Sequence, residues 1–158
     1  DICIEITADC PFIDHYMIDQ MIDEYFHLDK SIRYYSNSGP EISMPWGFDI
    51  QLFWAKDLHE INKISTNPDD HEHVSLYFYR NENINKYKPI FRKYTGKLNR
   101  PELRVTLDYK EDYELIKACY EELYPLNQDF KAEDVIDWID RHPEYSLPTL
   151  KVRNEKKQ

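Results

Sequence analysis

The chain has few of the residues that mark disulfide-rich, zinc-binding or membrane proteins. It contains only three cysteines, Cys3, Cys10 and Cys119, which show neither a CxxC pair nor the spacing of a zinc site. No apolar run approaches the roughly 20 residues of a membrane-spanning helix, and no signal-peptide pattern opens the sequence. These absences disfavour disulfides and structural zinc. They predict a cytoplasmic protein that does not associate with a membrane.

Basic residues are also scarce relative to acidic ones. The chain has 20 Lys and Arg against 30 Asp and Glu, a formal net charge of −10. Because phosphate backbones are bound by clustered Lys and Arg, we expect no nucleic-acid partner. An anionic nucleotide would need a metal ion or a separate basic loop. With 158 residues, 41% of them hydrophobic, the chain is long and apolar enough to fold around its own core.

The first candidate functional residue is Asp9. The stretch Ile2–Asp14 begins as an apolar, strand-like run that ends at Asp9, Cys10 and Pro11 before a helical pattern starts. Open α/β sheets place ligand chemistry at the carboxyl ends of their strands. Asp and Pro are also common turn residues, so a purely structural role for Asp9 remains open.

A second strand-like run, Leu103–Leu107, also ends in an aspartate, Asp108. If these two strands lie side by side in one sheet, Asp9 and Asp108 come together. Two carboxylates suit Mg²⁺, which keeps several waters and binds substrate phosphates as well. Cys10 lacks a positioned base, so a small buried residue is a better interpretation than a nucleophile.

The remaining hydrophobic patterns alternate between strands and helices, which is typical of an α/β fold. The expected elements after the first strand are a helix over His15–Leu28, a strand over Ser31–Asn37, a strand over Phe48–Phe53, a helix over Trp54–Ile64, a helix from Asn67 through Tyr77, a strand or two within 82–101, a helix over Lys110–Leu123 and an amphipathic helix over 126–142.

Four motifs, in order, resemble those of a known family. They are TADCPFID at Thr7–Asp14, PWGFDIQLF at Pro45–Phe53, EHVS at Glu72–Ser75 and RVTLDYKEDYELI at Arg104–Ile116. Together they resemble the cytidylyltransferase-like sugar nucleotidyltransferases of spore-coat polysaccharide synthesis, relatives of the enzymes that make CMP-sialic acids and CMP-Kdo. Gln51 departs from the family pattern, which has Glu there.

The resemblance implies a nucleotide-diphospho-sugar transferase-like, Rossmann-like fold with a mixed sheet flanked by helices. It also implies that the chain is the carboxyl-terminal part of a longer protein, without the amino-terminal half that carries the glycine-containing nucleotide loop. Residues 1–125 would then belong to the nucleotidyltransferase domain, 126–150 to a terminal helix and turn, and 151–158 to a mobile tail.

The implied reaction is transfer of CMP from CTP to a sugar or sugar acid with release of pyrophosphate, for surface polysaccharide or glycan synthesis. Asp9 and Asp108 would hold Mg²⁺. The substrate-binding residues implied by the motifs are Pro11, Pro45, Gly47, Asp49, Glu72 and His73. The family also implies a homodimer. The fragment alone, without the nucleotide loop, is expected to be inactive.

Each assignment has a structural alternative. His73 can be a hydrogen-bonded structural histidine, Asp49 can face solvent from an alternating strand, and Gly47 can simply form a turn. At the level of the whole chain, the alternative to an enzyme is a noncatalytic sugar-binding or dimerisation module of the same fold.

Overall fold

A mixed sheet of four short strands organises the first two thirds of the chain. In the computed structural model, which describes residues 1–156, the strands are β1 (Ile2–Glu5), β2 (Tyr34–Ser36), β3 (Gln51–Trp54) and β4 (Ile90–Phe91). Their spatial order is β1-β3-β2-β4. Strand β3 runs antiparallel to β1 and β2, whereas β4 is parallel to β2. The parallel pair needs a crossover, which the helices between β3 and β4 supply.

Helices make up most of the remaining structure. They are α1 (His15–His27), α2 (Ala55–Ile64), α3 (Pro68–Glu72), α4 (Ile84–Tyr87), α5 (Lys110–Leu123), α6 (Ala132–Arg141) and α7 (Pro143–Lys156). Two 3-10 turns cover Leu76–Tyr79 and Gly96–Leu98. The mixed α/β fold predicted from the sequence is confirmed.

The chain forms two compact units, each built from three separated stretches. Unit 1 contains residues 1–6, 17–40 and 50–92, including the whole sheet. Unit 2 contains residues 7–16, 41–49 and those from Lys93 onward. Residues 126–150 therefore pack in the same unit as the end of the expected 1–125 domain. The domain boundaries drawn from the sequence stay a prediction.

Aromatic side chains form the core of unit 1. Phe78, in the first 3-10 turn, is completely buried, and its ring centroid lies 4.9 Å from that of Phe53, 5.0 Å from Tyr87 and 5.5 Å from Tyr34. Neighbouring rings at these distances add attraction to the gain from burying apolar area. Phe78 thus joins the sheet to the segment that follows α3.

Unit 2 has its core between α5 and α6. Helix α6 buries Val135, Ile136 and Ile139 together with Trp138, the spacing of an amphipathic helix. The indole Nε1 of Trp138 donates a hydrogen bond of 2.9 Å to Glu122 of α5. Asp14 accepts from the backbone N of Tyr16 at 2.8 Å and from that of Ala132 at 2.9 Å, so this one carboxylate caps α1 as predicted and also the start of α6.

Three expected elements differ from the structure. Leu103–Leu107 is not a strand of the sheet, because its backbone hydrogen bonds go to two loops of unit 2. The helix expected from Asn67 through Tyr77 ends at Glu72, where the chain turns so that Phe78 can enter the core. The helix expected over 126–142 starts only at Ala132, where the Asp14 cap lies.

The expected mobile tail overlaps the last helix. Residues 151–156 continue α7, and residues 157 and 158 lie outside the described residues. The mobility of 151–158 stays a prediction.

We expect Phe78→Ala to lower the free energy of unfolding by about 3–5 kcal/mol, because it empties the centre of the unit 1 core. The matched control is Phe26→Ala: Phe26 is 48% exposed, and its loss should cost less than about 1 kcal/mol. Urea unfolding of both variants measures the difference. Equal losses would show that Phe78 is not the central core contact.

Candidate functional site

Three segments of unit 2 are joined by backbone hydrogen bonds. The N–H of Leu107 donates to the carbonyl of Asp9 at 2.8 Å. On the same segment, the N–H of Val105 donates to the carbonyl of Trp46 at 2.7 Å, and the N–H of Trp46 donates to the carbonyl of Leu103 at 3.1 Å. The stretch before Asp108 therefore runs between the loop of Asp9 and the loop that precedes Asp49.

The Cys10 side chain brings Asp9 and Asp49 to one place. Its Sγ lies 3.9 Å from Asp9 Oδ1 and 4.0 Å from Asp49 Oδ2. The backbone N–H of Gly47 donates to the same Asp49 oxygen at 2.9 Å. Both aspartates are only partly buried. Asp49 is thus held in a polar cluster with Asp9 rather than facing solvent from a strand.

Asp108 directly follows Leu107, the residue whose N–H donates to the carbonyl of Asp9. Its carboxylate accepts a hydrogen bond of 3.0 Å from the Thr106 hydroxyl and forms an ion pair with Arg104, four residues earlier. The Asp108 side chain is 42% exposed, so a ligand from solvent can reach it.

Asp112 fixes the backbone at Asp108. Its Oδ2 accepts hydrogen bonds of 3.0 Å from the backbone N–H groups of both Asp108 and Tyr109, at the start of α5. The Asp112 side chain is 1% exposed, and Arg104 lies 3.7 Å away. Burial raises the pKa of Asp112 above its ordinary value, while the hydrogen bond from Tyr109 and the charge of Arg104 act in the opposite direction.

Arg104 and Asp112 were not singled out from the sequence. The available signals were the four-residue spacing of Arg104 and Asp108 and the acidic residue in the first turn of a predicted helix. Neither signal identifies a site, because both are common on ordinary helices and turns. Their role depends on contacts that only the folded backbone shows.

Gly47 is required where the loop of Trp46 meets the segment before Asp108. Its φ of +109° is a conformation that side-chain-bearing residues rarely adopt. A Cβ there would lie 2.8 Å from the carbonyl carbon of Val105 and 2.9 Å from the backbone N of Thr106. The glycine makes a turn and also allows close backbone contact, so the two interpretations from the sequence are compatible. Pro45, two residues earlier, is buried.

The other predicted substrate residues are placed as follows. The carbonyl of Pro11 accepts a hydrogen bond of 2.8 Å from the Tyr120 hydroxyl within unit 2. Glu72 and His73 belong to unit 1, where Glu72 ends α3 and both side chains are exposed. Their role, like that of Pro11, stays a prediction.

Gln51, which stands where the family pattern has Glu, belongs to a polar cluster in unit 1. The Gln51 Oε1 accepts hydrogen bonds from the hydroxyls of Tyr34, at 3.0 Å, and Ser75. Glu5 lies opposite Gln51 in the β1–β3 register. Burial raises the pKa of Glu5, opposed by the Ser75 hydroxyl and by His73. An amide at position 51 avoids placing a second carboxylate beside this partly buried one.

The donor set in unit 2 fits a magnesium ion in chemical type. Asp9 and Asp108 offer oxygen ligands on segments joined by a backbone hydrogen bond. Among residues 1–156, no group of three or more His, Cys, Asp and Glu side chains is arranged to enclose a metal. Mg²⁺ uses one or two carboxylates together with waters and substrate phosphates, so it does not need such a cage. The guanidinium of Arg104, which is paired with Asp108, would compete with a metal ion for that carboxylate.

Comparison with known proteins gives two curated relatives and one solved structure. The spore coat polysaccharide biosynthesis protein SpsF of Bacillus subtilis is 31% identical over 144 residues, which is 90% of this chain and 56% of that protein. The uncharacterized protein MJ1063 of Methanocaldococcus jannaschii is 24% identical over 155 residues, 98% of this chain and 60% of that protein. No family model matches the chain.

The solved structure is that of a cytidylyltransferase from Leptospira borgpetersenii. It matches with a TM-score of 0.79 and 31% sequence identity, over 92% of this chain and 58% of that one. The mixed sheet with flanking helices is therefore a nucleotide-diphospho-sugar transferase-like fold. These matches support the cytidylyltransferase-like family that the four motifs predicted, and the chain spans little more than half the length of these relatives.

No helix within residues 1–156 combines the length and the apolar character needed to cross a bilayer.

We expect Gly47→Ala to destabilise the chain by at least about 3 kcal/mol, because the new methyl group meets rigid backbone. Gly96 provides the control, since it also has a positive φ of +65° but has open space where a Cβ would be added. Gly96→Ala should therefore cost only about 1–2 kcal/mol. Thermal unfolding compares the two, and equal losses would show that the contact with Val105 and Thr106 is not limiting.

Cys10 is expected to be an unreactive thiol. Its pKa is raised to about 11, mainly by burial and also by the charges of Asp49 and Asp9, while the hydrogen bond with Thr7 acts in the opposite direction. Cys119 is fully buried, and burial raises its pKa to about 12. Alkylation with iodoacetamide at pH 7–9, followed by mass spectrometry, should label the half-buried Cys3 first. Fast labelling of Cys10 at pH 7 would instead identify an activated thiolate.

Proposed function

We propose that this chain is part of a nucleotidyltransferase that transfers CMP from CTP to a sugar or sugar acid, releasing pyrophosphate, in the synthesis of a surface polysaccharide or glycan. The observation that carries the proposal is the Leu107–Asp9 hydrogen bond, which brings two carboxylate-bearing segments together. The similarity to SpsF, a spore coat polysaccharide biosynthesis protein, and to the Leptospira cytidylyltransferase supports the choice of nucleotide and pathway class.

In the proposed reaction, a sugar hydroxyl attacks the α-phosphorus of CTP, loses its proton and displaces pyrophosphate. Phosphoryl-type transfer depends mainly on positioning and on neutralising charge, so a protein nucleophile is unnecessary. The raised pKa of Cys10 agrees with this. Asp9 and Asp108 would hold Mg²⁺, which when bound supplies positive charge to the phosphate oxygens.

The other residues have positioning roles in this proposal. Asp112 accepts hydrogen bonds from the N–H groups of Asp108 and Tyr109, so it would hold the proposed metal ligand Asp108 in position. Asp49, held by the N–H of Gly47, would orient the acceptor sugar. Pro11, Pro45, Glu72 and His73 would contribute to substrate binding, and the homodimer suggested by the family remains part of the proposal.

The test is Asp108→Asn in the complete gene product, because Asn keeps the shape of the side chain and removes its charge. We expect pyrophosphate release from CTP, Mg²⁺ and a panel of sugar acids to fall at least about 100-fold. The melting temperature should change little, since Asp108 is exposed. Glu114→Gln, on an exposed position of α5, is the matched control and should keep full activity.

Near-normal turnover in Asp108→Asn would remove Asp108 from the metal site. If the wild-type gene product itself releases no pyrophosphate with any nucleotide and acceptor in the panel, the noncatalytic module becomes the better interpretation.

A further inference from the structure

Unit 1 contains a basic pocket that is lined by none of the residues assigned above. Its volume is about 520 Å³, and it lies where β2 begins, α2 begins and α4 ends. The charged side chains in its wall are Arg33, Lys56, Asp57, Glu60, Lys86 and Lys88. Four of these are positive and two negative, a formal charge of +2. In a chain of net charge −10, such a local excess of positive charge attracts anions.

Two of the four cations are already neutralised. Arg33 makes two hydrogen bonds to the buried carboxylate of Asp57, at 2.8 and 2.6 Å. The Lys86 ammonium lies 2.7 Å from Glu60. These pairs order the wall of the pocket and leave the excess charge on the other two lysines.

Lys56 and Lys88 are the two lysines of the pocket wall that make no direct ion pair within residues 1–156. Lys88 donates a hydrogen bond of 3.1 Å to the hydroxyl of Ser31, which is neutral. Lys56 is exposed on the first turn of α2 and has no ion pair within residues 1–156. Lys88 also lies near the exposed carboxylate of Asp29, whose pKa is lowered by hydrogen bonds from Ser31 and by the charge of Lys88. Two ammonium groups that make no direct ion pair can both donate charge-assisted hydrogen bonds to a single phosphate or pyrophosphate.

Lys88 also has an unusual backbone. Its φ of 46° and ψ of 61° place it in the left-handed region at the end of α4, and it is the one non-glycine residue of the described chain with a positive φ. Glycine or asparagine normally occupies this helix-ending position, because other side chains are strained there. A lysine in such a position is the kind of local strain that occurs at ligand sites.

Tyr87 adds a neutral donor to the same wall. The residue is fully buried, and its hydroxyl interacts with the Lys86 ammonium, which lowers the pKa of the hydroxyl against the larger effect of burial. Burial raises the pKa of this hydroxyl, so it keeps its proton.

From these observations we infer that the pocket binds a small phosphate-bearing ligand, with Lys56 and Lys88 as its principal contacts. The inference is independent of the proposed transferase activity, because it uses none of the same residues. A carboxylate from the acidic surface of a second chain is the competing occupant, and the experiment separates the two.

The experiment is calorimetric titration of the chain with sodium pyrophosphate at low ionic strength, in the presence of EDTA so that no metal-dependent site contributes. We expect saturable binding with one site per chain. The double variant Lys56→Met with Lys88→Gly should bind at least about tenfold more weakly. Lys63→Met, a lysine on the exposed last turn of α2, is the control and should bind as the wild type does.

The melting temperature of the double variant shows whether weaker binding results from a loss of folding. Glycine relieves the positive φ at position 88, so the melting temperature should stay equal or rise while binding falls. Unchanged affinity in the double variant, an equal loss in Lys63→Met, or no saturable binding by the wild type would overturn the inference. So would sedimentation velocity showing that the wild type self-associates through this surface while the double variant does not.

Discussion

The hydrogen bond from the N–H of Leu107 to the carbonyl of Asp9 is the contact on which the proposed site depends. It joins two segments about a hundred residues apart in sequence, and each of them carries one of the two candidate metal ligands. Because the contact is between backbone groups, it does not depend on the exact side chains at these positions. It brings the segments that carry the two aspartates together although Leu103–Leu107 is not a strand beside β1.

Two side-chain positions near this hydrogen bond, Gly47 and Asp112, are restricted by the backbone around them. Gly47 has no side chain because the backbone of Val105 and Thr106 occupies the space where one would be. Asp112 closes the other side by accepting from two successive N–H groups at the start of α5. A buried carboxylate with a raised pKa is tolerated here since it replaces the hydrogen bonds that the first turn of a helix lacks. Local rigidity of this kind suits a site whose task is positioning.

The sequence predicted the features that depend on local pattern. Helix α5 has the predicted bounds, and Asp14 caps α1 as expected, because periodicity and capping act over a few residues. The family resemblance was also readable, since motif order is a property of the sequence itself. The cluster of Glu5 with Gln51 was not predicted, because it depends on which segments the fold brings together. The ion pair of Arg104 with Asp108 was not predicted either, because a four-residue spacing by itself does not identify a contact.

The paths of two segments were mispredicted for the same reason. An extended, β-branched run such as Leu103–Leu107 satisfies its backbone equally well in a sheet or against two loops, and only the tertiary partners decide. The predicted helix beyond Glu72 is interrupted because burying Phe78 among three other aromatic rings is worth more than a further helical turn.

The positive charge of Arg104 also matters for the proposed reaction. Asp9, Asp49 and Asp108 make the site acidic, and a nucleotide brings several further negative charges. In the absence of substrate, the guanidinium of Arg104 balances Asp108 and lies 3.7 Å from Asp112. If Asp108 holds Mg²⁺, the ion would supply the positive charge that Arg104 now provides, and the buried carboxylate of Asp112 would keep the guanidinium close. Arginine binds phosphate and carboxylate oxygens equally well, so the same side chain can stabilise the site before and after the nucleotide arrives.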